Sequence, residues 1–151
     1  MEKYDALKLE NQLCFPLYAA SREIIKLYRP YLCELDLTYT QYITMLVIWE
    51  KNSISVKDLG DILYLDSGTL TPVLKSLEGK GYITRSRSRL DERVLIVTLT
   101  EDGRKLKEKA VGVPGQMCSC MKLDAEEAAS LRRLLYKILD GSDAQQTPSK
   151  H

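Results

Sequence analysis

Several absences narrow the possible functions of this chain of 151 residues. No apolar run approaches the roughly 18 to 20 residues of a membrane-spanning helix, and the opening MEKYDALKLENQ lacks the hydrophobic stretch of a secretory signal. The single histidine, His151, and the absence of a Cys-x-x-Cys spacing argue against a zinc site. We therefore expect a cytoplasmic protein with no membrane partner, no metal and no cofactor.

Cysteine is also scarce, and its four positions are Cys14, Cys33, Cys118 and Cys120. In a reducing cytoplasm these side chains are expected to be thiols and not a permanent disulfide framework, which leaves redox chemistry open as a function. Hydrophobic residues make up 44% of the chain and charged residues 28%, a balance that is ordinary for a folded domain and too apolar for a disordered chain.

A strong charge of one sign is missing too, since the net charge is only +1. The charges are unevenly placed, however, because positions 75–93 hold six basic residues against three acidic ones. Affinity for phosphates depends on where cations lie and not only on their sum, so this segment is a candidate nucleic-acid surface. The basic residues are Lys75, Lys80, Arg85, Arg87, Arg89 and Arg93.

Helical patterns dominate the sequence. Apolar residues recur at three- and four-residue steps from Leu17 to Leu35, and Pro16 places the start of this first helix close to Cys14. Pro30 is expected to kink or interrupt the helix. Capping signals predict five further helix starts, at Thr38, Ser55, Asp66, Thr100 and Asp124.

Two β-like segments, 82–85 and 94–99, follow the fourth helix and predict a hairpin with a charged tip. The helix that starts at Thr100 is expected to end at about Val113, where Pro114-Gly115 follows. Three helices followed by a hairpin is the plan of a winged helix-turn-helix, in which the second helix of the turn motif enters the major groove of DNA.

The predicted fold class is therefore mainly α with a small β-hairpin. We assign a single domain to residues 1–141 and a disordered tail to residues 142–151. Within the domain, the winged helix-turn-helix is expected at about 37–99, and N- and C-terminal dimerisation helices at about 5–35 and 101–140.

The turn motif at 55–81 would present short hydroxyl side chains and one cation on the outward face of its second helix. In the hairpin tip, the two-residue spacing of Arg85, Arg87 and Arg89 would put three guanidinium groups on one side, suited to a phosphate backbone or a narrow minor groove. A solvated charged loop is the alternative, but its position directly after the turn motif favours DNA. The outward helix residues are Ser67, Thr69, Thr71, Pro72, Lys75 and Ser76.

Three segments together resemble a known family: LENQLCF at 9–15, LYLDSGTLTPVLKSLE at 63–78 and DERVLIVTLTEDG at 91–103. They are similar to the multiple-antibiotic-resistance (MarR-type) regulators, and among these to the organic-hydroperoxide-responsive repressors called OhrR. The resemblance implies a homodimer that binds a double-stranded DNA operator with an inverted repeat. It also implies that Asp91 holds Arg93 in the wing and presents it to the minor groove.

The same resemblance assigns the thiols. The peroxide-sensing cysteine of the relatives lies in the LCF segment, which is Cys14 here, and two tyrosines that hydrogen-bond its thiolate match Tyr28 and Tyr39. Taken alone, Cys14 would be interpreted as a small buried residue and the tyrosines as packing residues. Pro16 departs from the leucine-like residue expected at its position.

The two-cysteine members of this family have a resolving cysteine after a Val/Ile-Pro break, which matches Val113-Pro114. Both Cys118 and Cys120 follow that break, and Cys118 is favoured without excluding the other. Cys33 is interpreted as structural.

The expected chemistry starts from a thiolate, whose attack on an organic hydroperoxide gives a sulfenic acid that a second thiol converts to a disulfide. A disulfide across subunits would change the distance between the two DNA-reading helices, which must match half-sites roughly 34 to 36 Å apart. We therefore expect repression by the reduced dimer and release on oxidation.

Three other functions compete with this hypothesis. A MarR-type repressor could instead be released by a small phenolic or drug-like ligand, and replacing Cys14 with serine would separate that case. A thiol peroxidase would turn over substrate, but the chain lacks a thioredoxin-like pattern, and no enzyme activity is expected. A purely structural helical adaptor would show no salt-dependent DNA affinity.

Overall fold

Seven α-helices and three short strands, preceded by two 3-10 turns at Asp5–Leu7 and Leu9–Asn11, make up the described part of the chain. The structure is a computed structural model that describes residues 2–143. The helices are α1 (Cys14–Cys33), α2 (Tyr39–Lys51), α3 (Val56–Leu63), α4 (Ser67–Gly79), α5 (Glu101–Ala110), α6 (Val113–Cys120) and α7 (Ala125–Asp143), and the strands are β1 (Ser53–Ser55), β2 (Ile83–Arg87) and β3 (Leu95–Leu99).

Side-chain caps fix the helix starts, as the sequence predicts. Thr38 Oγ1 accepts from the Gln41 amide at 3.2 Å and Gln41 Oε1 accepts from the Thr38 amide at 3.1 Å, which is a complete capping box at the start of α2. Ser55, Asp66 and Thr100 each accept a hydrogen bond from the backbone amide three residues later, at 3.0, 2.7 and 3.1 Å. These caps define the helix-turn-helix pair α3 and α4.

Helix α1 begins at Cys14, as predicted, with Pro16 in its first turn. The expectation that Pro30 interrupts this helix is wrong, because α1 continues to Cys33. Pro30 lies in the last turn, so only three residues of α1 follow the position whose backbone amide is missing.

The sheet has the order β1-β3-β2 and is antiparallel throughout. The predicted hairpin is confirmed, with Ile83 opposite Leu99 and Arg87 opposite Leu95. Strand β1 was not predicted, because three residues are too few to show an alternating pattern. It pairs with β3, with Ser53 opposite Thr98, and so joins the wing to the start of α3.

The segment around Pro114 differs from the expectation. Helix α5 ends at Ala110, and a separate helix, α6, begins at Val113 and contains both Cys118 and Cys120. Proline is tolerated in a first helical turn, where its missing amide would have no partner. Pro114 therefore lies at the beginning of a helix and does not end one.

The chain divides into two compact units, residues 1–117 and 118–151. In the first, α2, α3 and α4 pack around a core that includes Met45, Ile48 and Leu59, each fully buried. Trp49 Nε1 donates to the carbonyl of Gly103 at 2.8 Å and joins α5 to α2. No helix within residues 2–143 is both long enough and apolar enough to cross a bilayer.

The second unit, described over residues 118–143, contains α7. Asp124 and Glu127 form a reciprocal capping pair at its start, at 2.8 and 3.0 Å, which confirms the predicted helix start. None of residues 125–142 is buried. Helix α7 continues through Asp143 and includes the first two residues of the predicted tail; residues 144–151 lie outside the described part of the chain.

Candidate DNA interface and thiol site

The exposed face of α4 carries small side chains and one cation. Thr69, Pro72 and Lys75 are exposed, together with Ser67 and Thr71. Hydrogen-bond donors and acceptors on such short side chains reach base edges and phosphates without steric hindrance. Five of the six helix residues predicted to contact DNA therefore lie where a groove would be accessible.

Ser76 does not belong to this face, and its prediction as an outward residue is wrong. Its hydroxyl accepts a hydrogen bond from Gln41 Nε2 at 2.9 Å, so it faces α2. Ser76 follows the inner residue Val73 by three positions and directly precedes the inner residue Leu77. It therefore lies at the border of the buried face. A polar residue at that border gives no sequence signal of the direction in which it points.

Arg85 is also not part of the expected row of three guanidinium groups. Its Nη2 donates to Glu78 Oε1 at 3.1 Å and its backbone amide donates to Glu78 Oε2 at 2.9 Å. Only 19% of its side chain is exposed, and its Nε is buried without a hydrogen-bond partner in the described chain. The hydrogen bond from the Arg85 side chain holds the pKa of Glu78 below its ordinary value. Arg85 thus joins β2 to α4, and the exposed cations of the wing are Arg87, Arg89 and Arg93.

Asp91 and Arg93 form the predicted pair at the tip of the wing. Arg93 Nε and Nη2 donate to the two carboxylate oxygens of Asp91 at 3.1 and 3.2 Å, a bidentate geometry. These side-chain bonds hold the pKa of Asp91 below its ordinary value. The side chain of Arg93 is nevertheless 91% exposed, so its orientation is fixed while its outer edge stays accessible to DNA.

A concave surface of about 510 Å³ connects the wing to the helix-turn-helix motif. It is lined by Ser55 and Lys57 at the start of α3, Ser67 and Thr71 on α4, and Arg93 on the wing. Ser55 and Lys57 were not among the predicted DNA contacts, although the helix start at Ser55 was a signal for them, since helix N-termini bind phosphates.

Cys14 is the first residue of α1 and is exposed. Leu13 precedes it and makes no side-chain cap, so the first-turn amides have no side-chain acceptor. The side chain of Cys14 therefore lies beside the positively polarised N-terminal end of α1. Its neighbours Leu13, Phe15 and Tyr18 are also exposed, which makes the surroundings of the thiol apolar.

Tyr28, Tyr39 and Tyr42 form a cluster between α1 and α2. The ring centroids of Tyr28 and Tyr39 lie 4.9 Å apart, and those of Tyr28 and Tyr42 lie 5.6 Å apart. Burial raises the pKa of Tyr39, so its hydroxyl stays protonated and able to donate.

The cluster and Cys14 are far apart within one chain. Cys14 and Tyr28 are fourteen positions apart on the same helix, which at about 1.5 Å per residue is about 21 Å. The structure therefore brings the two predicted tyrosines together but does not bring either to the thiol of its own subunit.

The remaining cysteines have different settings. Cys33 is the last residue of α1 and is exposed. On α6, Cys118 is exposed and Cys120 is partly buried. Two positions apart on a helix, the side chains of Cys118 and Cys120 point in different directions, which distinguishes the two candidates for a resolving thiol.

A cavity of about 520 Å³ opens near the tyrosine cluster. Ile25, Arg29, Tyr39 and Lys80 are among its lining residues. Its lining combines apolar side chains with cations and with the carboxylate of Asp36, a mixture that is common in pockets for small molecules.

The proteins to which this chain is similar are transcriptional regulators. Residues 26–110 match the family model of the transcriptional regulators SarA/Rot. The chain is 52% identical to the organic hydroperoxide resistance transcriptional regulator of Bacillus subtilis over 138 residues, which cover 91% of this chain and 94% of the relative. It is 46% identical to the HTH-type transcriptional regulator SarZ of Staphylococcus saprophyticus, over 87% of this chain and 90% of the relative.

Among solved structures, the fold is similar to that of AbfR of Staphylococcus epidermidis in several states. Reduced AbfR bound to DNA is 33% identical with a TM-score of 0.78, covering 95% of this chain and 99% of AbfR. Overoxidized AbfR bound to DNA is 36% identical with a TM-score of 0.75, covering 93% and 98%. Disulfide-formed AbfR is 36% identical with a TM-score of 0.63, covering 91% and 96%. These likenesses confirm the predicted winged helix-turn-helix fold.

Proposed function

Because this chain belongs to the SarA/Rot family of MarR-like transcriptional regulators, we propose that it is a DNA-binding repressor that organic hydroperoxides inactivate through Cys14. The observation that carries the proposal is the arrangement of α4 and the wing, where an exposed helix face and a clamped, exposed Arg93 lie on either side of one concave surface. The redox function is supported by the relative named for organic hydroperoxide resistance.

The DNA-binding part follows from the geometry. Helix α4 would enter the major groove, with Thr69 and Lys75 near base edges and phosphates. The wing would reach the adjacent minor groove through Arg93, whose guanidinium Asp91 has already oriented. Reduced AbfR, a relative of the same fold, was crystallised on DNA.

A homodimer is the binding species in this proposal. The exposed apolar residues of the N-terminal segment and of α7 would bury surface against a second copy, as in the dimeric regulators of this class. We assign the helices flanking residues 37–99 to dimerisation. A dimer also resolves the separation of about 21 Å along α1, because Tyr28 and Tyr39 of the partner subunit can donate to Cys14 where those of its own subunit cannot.

The chemistry is a two-electron oxidation. The Cys14 thiolate attacks the terminal oxygen of the hydroperoxide, the O–O bond breaks, and the alkoxide leaves and takes up a proton to become an alcohol. Cys14 is then a sulfenic acid. The thiol of Cys118 or Cys120, from the other subunit, attacks its sulfur, so that a disulfide forms and water leaves. Each Cys14 reacts with one molecule of hydroperoxide and does not react again until its disulfide is reduced. We propose no enzymatic turnover.

We propose that the disulfide, and not oxidation of Cys14 as such, releases the DNA. The overoxidized form of AbfR was crystallised bound to DNA. A disulfide, which AbfR also forms, differs because it links two chain segments covalently. A sulfinic acid adds charge and oxygen atoms at one position but leaves the subunits free to keep the operator spacing.

A ligand-released repressor is the second candidate, and the cavity beside Arg29 and Lys80 favours it. Its mixed lining suits a small phenolic or drug-like molecule, which would bind without any change of a thiol. The two candidates differ in their dependence on Cys14.

The test measures DNA affinity before and after oxidation. The probe is a duplex that the reduced wild-type protein enriches from a random-sequence library, and the oxidant is cumene hydroperoxide at one equivalent per subunit. We expect oxidised wild type to lose the duplex and dithiothreitol to restore binding.

Cys14→Ser is the decisive variant, and Cys33→Ser is its matched control. The first should bind the duplex with or without peroxide, and the second should respond like wild type. Peroxide-treated wild type that binds as tightly as the reduced protein contradicts the proposal, and release from Cys14→Ser by peroxide contradicts the role of this cysteine.

A further inference from the structure

A buried amide connects the start of α2 to the recognition helix. Gln41 is only 7% exposed, yet every polar atom of its side chain has a partner. Its Oε1 accepts from the Thr38 amide at 3.1 Å, and its Nε2 donates to Ser76 Oγ on α4 at 2.9 Å. Buried polar groups are costly when unpaired, so these bonds fix the position of α4 relative to the start of α2.

Lys80 provides a second connection at the end of the same helix. It follows α4 directly, and its ammonium donates to the backbone carbonyl of Asp36 and to Gln41 Oε1, the latter at 3.4 Å. It also lies 3.4 Å from the carboxylate of Asp36. The C-terminal half of α4 is thus attached by polar bonds to the loop between α1 and α2.

The bonds from α4 and Lys80 end close to Tyr39, the tyrosine of the proposed sensor. They reach Asp36 and Gln41, which lie within three positions of Tyr39 along the chain. Tyr39 itself packs against Tyr28 at 4.9 Å. A displacement of Tyr39 therefore moves the backbone to which the α4 contacts are attached.

We propose that Gln41, with Ser76 and Lys80, is the positioning junction through which the oxidation state of Cys14 controls the orientation of α4. The inference rests on the proposed function, because it assumes that Tyr39 responds to Cys14 of the partner subunit. When Cys14 is reduced, the junction holds α4 in the orientation that binds DNA. When the disulfide forms and Tyr39 shifts, the junction carries that shift to α4.

Coupling of this kind is reciprocal. If oxidation weakens DNA binding through the junction, bound DNA must disfavour the oxidised state by the same factor. A residue that only stabilises the fold would change DNA affinity equally in both redox states. The ratio of the two affinities therefore separates a coupling role from a structural one.

The experiment compares Ser76→Ala and Lys80→Met with wild type as full-length dimers. Ser76→Ala removes the bond from Gln41 Nε2, and Lys80→Met removes the contacts of the ammonium with Asp36 and Gln41; both variants keep the capping pair of Gln41 and Thr38. The measured quantity is the dissociation constant for the enriched duplex after cumene hydroperoxide divided by that before it. We expect this ratio to fall roughly 2- to 30-fold in each variant, the range that corresponds to coupling of 0.5 to 2 kcal/mol.

Two control variants match the chemistry. Ser53→Ala removes a hydroxyl that pairs with Thr98 at 3.3 Å outside the junction, and Lys107→Met removes an exposed ammonium on α5. Both should keep the wild-type ratio. The proposed junction is contradicted if Ser76→Ala and Lys80→Met have the same ratio of dissociation constants as wild type. It is also contradicted if each variant loses affinity equally in both redox states.

A second measurement serves if Ser76→Ala folds poorly. In a dithiothreitol redox buffer, the equilibrium fraction of Cys14 in a disulfide should fall when wild type is bound to the duplex, and this protection should shrink in Lys80→Met. Equal protection in both proteins would also overturn the inference. Wild type that keeps its DNA after oxidation signals instead a failure of the proposed function, so the two failures are distinguishable.

Discussion

Single substitutions of wing arginines should change the salt dependence of DNA binding in a way that depends on their partners. Lys75, Arg87 and Arg89 are exposed and have no acidic partner within residues 2–143, whereas Arg85 is paired with Glu78. Each phosphate that a cation neutralises contributes about 0.9 to the slope of log K against log salt. These three cations per subunit contribute about −5.4 to the slope of the dimer.

Arg87→Ala removes two of the six cations from the dimer. The slope should therefore become less negative by about 1.8, and the loss of affinity between 50 and 200 mM salt should shrink about tenfold. Fluorescence anisotropy with the enriched duplex at four or more salt concentrations measures this slope.

Arg85→Met is the matched comparison. Its guanidinium already neutralises Glu78, so its removal should leave the slope near that of wild type, even if the wing is displaced and the affinity falls. An unchanged slope in Arg87→Ala, or equal slope changes in the two variants, would refute the reasoning.

Three further predictions concern stability, pH and the resolving thiol. Gly103→Ala should lower the free energy of unfolding by about 1 to 3 kcal/mol or more in urea denaturation, because its Cβ would lie 2.2 Å from a backbone carbonyl oxygen; Gly112→Ala, with open space around it, is the control. The Arg93 bonds lower the pKa of Asp91, so the pair adds to the free energy of unfolding above the ordinary aspartate pKa. This contribution is lost as the pH falls through the lowered pKa. An NMR titration of the Asp91 carboxyl should show this lowered pKa, and Arg93→Ala should return it to the ordinary range. Cys118→Ser should prevent disulfide formation and leave the peroxide-treated protein on DNA; if Cys120→Ser does so instead, Cys120 is the resolving thiol.

The helix-turn-helix and the wing could be predicted because their signals are local. Caps at Thr38, Ser55 and Asp66 are visible in the sequence, and each makes the expected bond. The pair of Asp91 and Arg93, which the resemblance implied, is also local, since one residue separates its members. Short-range hydrogen bonds depend on residue type and spacing, which a sequence displays directly.

The wrong predictions about DNA-contacting residues concern contacts between distant or bordering positions. The partner of Ser76 is Gln41, 35 positions earlier, and nothing in a helical pattern shows which way a border residue points. The pairing of Arg85 with Glu78 depends on how the chain turns from α4 into β2. The bond of Gln41 to Ser76 likewise requires the packed α4, whereas its capping bond with Thr38 is local.

The thiol site shows the same limit at a larger scale. The resemblance pointed to Cys14, Tyr28 and Tyr39 together, but a continuous α1 separates the first two by about 21 Å. Only an assembly of two chains can join them, and a single sequence does not state which residues meet across subunits.

The central claim is that a disulfide of Cys14 releases the DNA. The most direct measurement titrates the complex with cumene hydroperoxide and determines, in the same samples, the fraction of DNA bound and the fraction of Cys14 in a disulfide by non-reducing mass spectrometry. We expect the released fraction to follow the disulfide fraction throughout the titration. Complete release while Cys14 remains a thiol, or full retention of DNA with Cys14 entirely in a disulfide, would contradict the account.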